Sequence, residues 1–202
     1  MKNFDTEFKE SIYPPEVEIE YSVSLEDDMA AFDAYQRLFE RSKLILWTVL
    51  IIIGIAVNAY SFAAGGANTM HILLIVLLLF IAGTIWTRPA RVKKGIINAS
   101  KEIEDGRYRM ELYKDYLKIT TVYSNEQLEE IRRTDPEYSD EDIPATLIHL
   151  TNNAVRIAEL ENILAVCIKQ KNAYALPKKA FSSEEYARAV EILKKALDER
   201  FR

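Results

Sequence analysis

Apolar and polar positions follow two different periods before the middle of this chain, and then periodicity stops. Residues 17–23 alternate, with Val17, Ile19, Tyr21 and Val23 apolar and Glu18, Glu20 and Ser22 polar. That period predicts a half-buried strand, whose start is limited by Pro14 and Pro15. From Leu25 onward the pattern changes. Met29, Phe32, Tyr35, Leu38 and Phe39 recur at helical spacing, and Ser24 stands three residues before Asp27, as in an N-terminal cap. The aromatic positions read as a packing stripe rather than a ligand site. The helix is expected to run to about Lys43 and on into the next segment.

That segment, residues 44–87, contains no Asp, Glu, Lys or Arg. Its two apolar runs, 44–64 and 70–86, are separated by the turn-rich sequence GGANT. A helix needs roughly 20 residues to cross about 30 Å of hydrocarbon. The first run is long enough, and Asn68, Thr69 and Thr87 extend the second. The expectation is a transmembrane helical hairpin over 44–87, with spans at about 44–64 and 68–87. A buried hairpin in a soluble protein is disfavoured, because so small a domain could hardly cover both helices on all sides. The polar residues ahead of the run do not suit a secretory signal peptide, and neither end carries a lipidation pattern.

Flanking charge gives an orientation. Arg37, Arg41 and Lys43 precede the first run, Arg88, Arg91, Lys93 and Lys94 follow the second, and the connecting loop has neither Lys nor Arg. An excess of basic residues belongs on the cytoplasmic side. The chain is therefore expected to be a multi-pass cell-membrane protein with both termini cytoplasmic. Trp47 and Trp86 would share the cytoplasmic interface, with Tyr60 near the outer one. Within or beside the spans, Asn58 can bond across to the second helix and His71 is placed at the outer interface, while Gly54 and Gly83 offer weak signals of close helix approach.

The rest divides into residues 1–43, a cytoplasmic N-terminal strand and amphipathic helix; 88–105, a juxtamembrane linker helix; and 106–202, a cytoplasmic β-rich domain. The linker is helical over 91–105, ending at Asp105-Gly106. Tyr108, Met110 and Leu112 alternate with polar neighbours, and with 116–122 they predict a β-hairpin around Lys114-Asp115. Strand patterns return at 145–150 and 154–158, then as a second hairpin with arms 163–169 and 173–176. Ser182 and Glu185 have capping-box spacing. Tyr186, Val190, Leu193, Leu197 and Phe201 line one face of a final helix. The fold class is α+β: a two-helix membrane hairpin bearing an antiparallel β domain that is closed by a C-terminal helix.

Charge and composition refine this picture. The net charge is -5, and residues 124–142 hold eight acidic side chains against Arg132 and Arg133, a local balance of -6. A short helix is expected around 127–133, with a solvated loop after it. The insert is either a solubilising surface or a docking site for a basic partner. Nucleic-acid binding is disfavoured, since such a loop repels phosphates. The single Cys167 cannot form an internal disulfide and reads as a buried core thiol. The two histidines, His71 and His149, belong to no metal or nucleophile–base pattern. Glu159 and Glu161 near His149 could be read as a proton-transfer group, but strand-surface positions explain them equally well. No phosphate-cradling glycine loop occurs. No catalytic, cofactor-binding or metal-binding residue is assigned, and no cofactor is expected.

The run 171–185, KNAYALPKKAFSSEE, passes from Asn-x-x-Tyr-x-Leu-Pro-Lys into Phe181 and the final helix. With the strand, the Glu26-Asp27-Asp28 step and the aromatic helix of 17–35, it resembles the YcxB-like family of bacterial membrane proteins, and the matching pieces cover most of the chain. The resemblance implies a C-terminal domain of pleckstrin-homology-like fold. It implies no catalytic or cofactor residues, and the 124–142 insert looks longer than the corresponding family turn. A pleckstrin-homology-like fold does not by itself imply phosphoinositide binding. The expected function is a membrane-anchored cytoplasmic binding or regulatory module with a protein or peptide partner, in contact with the lipid bilayer. The alternative is a lipid-surface sensor using Lys93, Lys94, Lys178 and Lys179. An enzyme or an oligomeric transporter is less favoured.

Overall fold

The computed structural model describes residues 14–64, 68–102, 106–135, 138, 143, 145–170 and 172–202. Its strands are β1 (Val17–Ser22), β2 (Arg107–Leu112), β3 (Tyr116–Val122), β4 (Ala145–His149), β5 (Val155–Glu159), β6 (Ile163–Ile168) and β7 (Ala173–Pro177). Its helices are α1 (Leu25–Tyr35), α2 (Arg41–Ala63), α3 (Thr69–Glu102), α4 (Asn125–Thr134) and α5 (Ser183–Leu197). The chain is thus α+β, with antiparallel sheets and two long apolar helices.

The strands form two sheets, β1-β2-β3-β4 and β5-β6-β7. In the first, β1 pairs with β2 along its whole length, from Val17 opposite Leu112 to Ser22 opposite Arg107. The strand ahead of the apolar hairpin and the first strand after it are therefore neighbours, and the sheet is assembled from both flanks of 44–87. Alternation sets the register: Val17, Ile19 and Tyr21 face inward while Glu18, Glu20 and Ser22 face out. On the outer face Arg109 bonds Glu20 at 2.6 Å.

One core joins the two sheets. Ile19, Met110, Leu117 and Ile148 from the first meet Ile157, Leu164, Val166 and Leu176 from the second. Helix α5 adds Ala189, Leu193 and Leu197 to the same cluster, with Tyr186, Val190 and Phe201 packed at its margin. The Ser182–Glu185 capping box is formed at both ends, satisfying two of the amide groups left open at a helix start. After α5 the chain returns along β5. Arg202 N donates to Ile157 O at 2.9 Å and Glu159 N donates to Arg202 O at 2.6 Å, which covers an edge that would otherwise expose its ladder.

Every residue of β6 is buried, because the second sheet is covered on both faces. Its outer face carries Ala158, Ala165, Cys167 and Ala175, against which α1 lays Ala31 and Ala34. Small side chains on both surfaces let the helix backbone approach closely. Burial pushes the Cys167 thiol up to about 12, so little thiolate forms at pH 8. A thiol reagent at that pH should leave the native protein unlabelled over a period that suffices to label the denatured chain fully. Prompt labelling of the native protein would contradict this packing.

Helix α1 does not stop where the apolar run begins. Residues Leu25–Ala63 form one continuous helical path, and both this path and Thr69–Asn98 are long and apolar enough to cross a membrane. At about 1.5 Å per residue the 34 residues of α3 extend roughly 50 Å, well past the end of the apolar run. The stretch 68–87 and the linker helix at 88–105 thus share one helix as far as Glu102, with Pro89 inside it. Proline removes an N–H and frees a carbonyl one turn back. On neighbouring turns Thr87 Oγ1 donates to Gly83 O at 2.8 Å, and Arg91 donates to Thr84 O at 3.3 Å. The proposed helix end at Asp105 lies outside the described residues, as does most of the loop after α4.

Polar contacts fix how α2 and α3 pair. His71 Nδ1 lies 3.1 Å from Asn58 Oδ1 near one end, and Trp86 Nε1 donates to Thr48 Oγ1 at 3.2 Å near the other. Gly54 marks a close approach, since a Cβ there would stand 3.0 Å from Leu78 Cδ1. Gly83 does not, because a Cβ would meet nothing within 4 Å.

Candidate functional site: a groove where the domain meets the hairpin

Between α1 and α2 the helix takes one π turn, Gln36–Glu40. Such a turn inserts a residue into the helical register and recurs at functional positions. Here it separates two jobs. Within it, Phe39 belongs with Ala31 and Ala34 of α1 to the cluster packed on the second sheet. Below it, Lys43, Leu44 and Trp47 turn toward α3. Arg156 of β5 supports the turn twice, donating to Leu38 O at 3.2 Å and placing its guanidinium 5.1 Å from the Phe39 ring centre. Tyr35 holds the β6–β7 turn: its hydroxyl accepts from Gln170 N at 3.2 Å. Gln170 has a φ of 62°, the left-handed conformation a tight turn requires. On the opposite side Lys93 Nζ of α3 reaches Asp33 Oδ1 of α1 at 2.7 Å.

These contacts enclose a groove of about 900 Å³, within the roughly 300–1,000 Å³ range of small-ligand sites. Leu44, Trp47, Ile85, Val92 and Ile96 give it apolar lining, and Lys43, Arg88, Tyr35 and Tyr174 give it polar and aromatic lining. Asp28 and Glu40 also line it. Lys43 Nζ contacts Glu40 Oε1 at 3.0 Å. Among the described residues nothing is paired with the Arg88 guanidinium or with the Trp47 indole N–H, whereas Trp86, Arg91 and Lys93 each have a partner within the chain.

The residues considered from sequence for other chemistry are dispersed or engaged. His149 ends β4 in one sheet and Glu159 ends β5 in the other. Glu159 accepts from the Tyr186 hydroxyl at 2.5 Å and from Lys178 Nζ at 3.2 Å. The Tyr186 hydrogen bond, followed by the Lys178 ammonium, holds its carboxyl below the usual range. Lys178 is thereby occupied inside the domain, with its ammonium also 5.2 Å from the Tyr186 ring centre. Among the described residues no three His, Cys, Asp or Glu side chains come together as a metal site.

Sequence reasoning took Lys43, Trp47 and Arg88 only as markers of orientation. Their convergence with Tyr174 depends on α1 docking beside β7, which no local pattern encodes. No family model matches the chain, and neither a curated protein nor a solved structure matches it.

Proposed function

We propose that the chain is a membrane-anchored binding or regulatory module, in which a two-sheet cytoplasmic domain is fixed to a transmembrane hairpin and engages a protein partner. The observation that carries this reading is the mechanical continuity of domain and hairpin. Helix α1 packs on the second sheet and runs without a break into α2, while β1 and β2 hold the two flanks of the hairpin in one sheet. Binding at such a domain is felt directly at the hairpin.

Large apolar side chains project from α2 and α3, Phe80 being 69% and Leu73 60% exposed. A surface of this extent needs an apolar surrounding, which supports membrane insertion. The pairing of β1 with β2 supports an even number of crossings with both flanks on one side. The basic residues at those flanks assign that side to the cytoplasm. Two sheets around one core with a capping C-terminal helix support the YcxB-like resemblance and a pleckstrin-homology-like closure. In this reading there is no catalytic centre, no cofactor and no nucleic-acid partner.

Affinity capture from native membranes tests the function. The comparison is between the intact chain and a variant with residues 14–23 deleted, which keeps the hairpin but loses β1. A reproducible protein partner lost with β1 is the expected result. Recovery of the same proteins by both chains would contradict a binding role for the domain.

A further inference from the structure

We infer that the joint between domain and hairpin is a latched hinge: the two helices that cross it bend together at the π turn and at Pro89, and Arg156 is the latch. The inference rests on the reading of a membrane-anchored regulatory module and names how its two parts are coupled. Two contacts bracket the joint. On the domain side Lys93 Nζ meets Asp33 Oδ1 at 2.7 Å. On the hairpin side Trp86 Nε1 donates to Thr48 Oγ1 at 3.2 Å. Between these contacts each helix departs from regular geometry once. In the path from α1 to α2 the departure is the π turn, where Arg41 N donates to Gln36 O, five residues back rather than four. In α3 it is Pro89, which supplies no N–H to the ladder. Sharp bends in helices occur at such places. Gln36, Glu40 and Pro89 line the same groove, so the two departures stand at one level. Were they staggered, a regular stretch of one helix would splint the other; at one level, neither helix splints the joint.

The parts on either side are firmly held. Ala31 and Ala34 pack α1 on the second sheet. In the hairpin Leu78 closes on Gly54 and His71 meets Asn58. Bending is therefore concentrated between them. The groove of about 900 Å³ gives it room, since Leu44, Trp47 and Ile85 of the hairpin and Gln170, Asn172 and Tyr174 of the domain line the same space. Arg156 reaches the joint from β5. It donates to Leu38 O at 3.2 Å and holds its guanidinium 5.1 Å from the Phe39 ring centre. One side chain thus grips two successive residues inside the π turn, one of them through a charge-assisted bond, and ties the turn to the second sheet.

The test uses the full chain in mild detergent, in a Cys167→Ala background, with pairs of spin labels read by double electron–electron resonance. Labels at Ser22 and Lys195, both exposed on the domain, are each paired with one at Tyr60, 76% exposed near the far end of α2. Tyr60 follows the π turn by roughly 30 Å along α2, so a bend of about 20° displaces it by about 10 Å. The Ser22–Lys195 pair reports on the domain alone. The unaltered chain should show one population for every pair. Arg156→Gln should add a second population, shifted by up to about 10 Å, in at least one pair that includes Tyr60, with the Ser22–Lys195 distance unchanged. Adding Pro89→Ala to Arg156→Gln should restore one population, because α3 then splints the joint. Arg109→Gln, on the first sheet and away from the joint, should change nothing. Unaltered Tyr60 distances in Arg156→Gln, the same broadening in Arg109→Gln, a second population that survives Pro89→Ala, or a changed Ser22–Lys195 distance would each overturn the inference. Alkaline extraction of membranes is run in parallel. Release of the unaltered chain by alkali would overturn the membrane-anchoring reading, whereas a chain that resists extraction but keeps one population in Arg156→Gln refutes only the hinge.

Discussion

Residues 106–202 expressed alone should not form a stable domain, whereas a chain joining residues 14–43 to 88–202 through a short Gly/Ser linker should fold cooperatively. The difference between them includes β1. Val17, Ile19 and Tyr21 are all buried in the core shared by the two sheets, and burial of such side chains contributes about 1.5–3 kcal/mol each. Together they supply roughly 5–9 kcal/mol, comparable with the 5–15 kcal/mol that stabilises a whole domain. Without β1, one edge of β2 also loses its ladder partner along six residue pairs. Circular dichroism and denaturant titration of the two proteins measure the effect. A sharp unfolding transition in residues 106–202, equal to that of the linked chain, would show that β1 is dispensable. The linker is short because α2 and α3 lie side by side where the excised segment ends, as the Trp86–Thr48 contact records.

Leu193→Ala in the linked chain should destabilise it by about 2–5 kcal/mol, the range for removing a large aliphatic side chain from a closed core. Leu193 is 1% exposed and is the central anchor of α5, between Ala189 and Leu197, on a core fed by both sheets. Thr substitution of the exposed Lys195, on the far side of the same helix, provides the comparison; it changes helix propensity by well under 1 kcal/mol. Chemical denaturation read at equilibrium gives both values. A loss below half a kcal/mol for Leu193→Ala would mean that α5 does not close this core.

Much of the local structure is legible in the residues. Alternation in 17–23 and 108–112 specifies which face of each strand is buried, and Ser24, Ser124 and Ser182 each begin a helix with a formed capping box. The charge-free run announces the two long apolar helices, and Gly54 marks a real close approach. Other features depend on partners far away in the chain. Strand β1 finds β2 only after the whole hairpin has intervened, so no short-range signal records the pairing. Met29, Phe32, Tyr35, Leu38 and Phe39 form the helical stripe that the pattern of residues marks for packing, yet Ala31 and Ala34 are among the most buried residues of α1. Alanine carries little hydrophobic contrast, and its fit is decided by Ala158, Ala165 and Ala175 on the sheet opposite. Pro89 lies inside α3, which continues past it to Glu102. The groove is the least legible feature, because its lining comes from three separate stretches of chain that converge only in the folded protein.

Cysteine accessibility in intact cells tests most directly the proposal of a hairpin whose two flanks build one cytoplasmic domain. In a Cys167→Ala background, single cysteines replace Gly66 in the connecting loop, Ser22 at the end of β1 and Arg202 at the C-terminus. A membrane-impermeant thiol reagent should label position 66 in intact cells, and positions 22 and 202 only after permeabilisation. Labelling of 22 and 202 from outside, protection of 66 until permeabilisation, or opposite behaviour of 22 and 202 would contradict the arrangement.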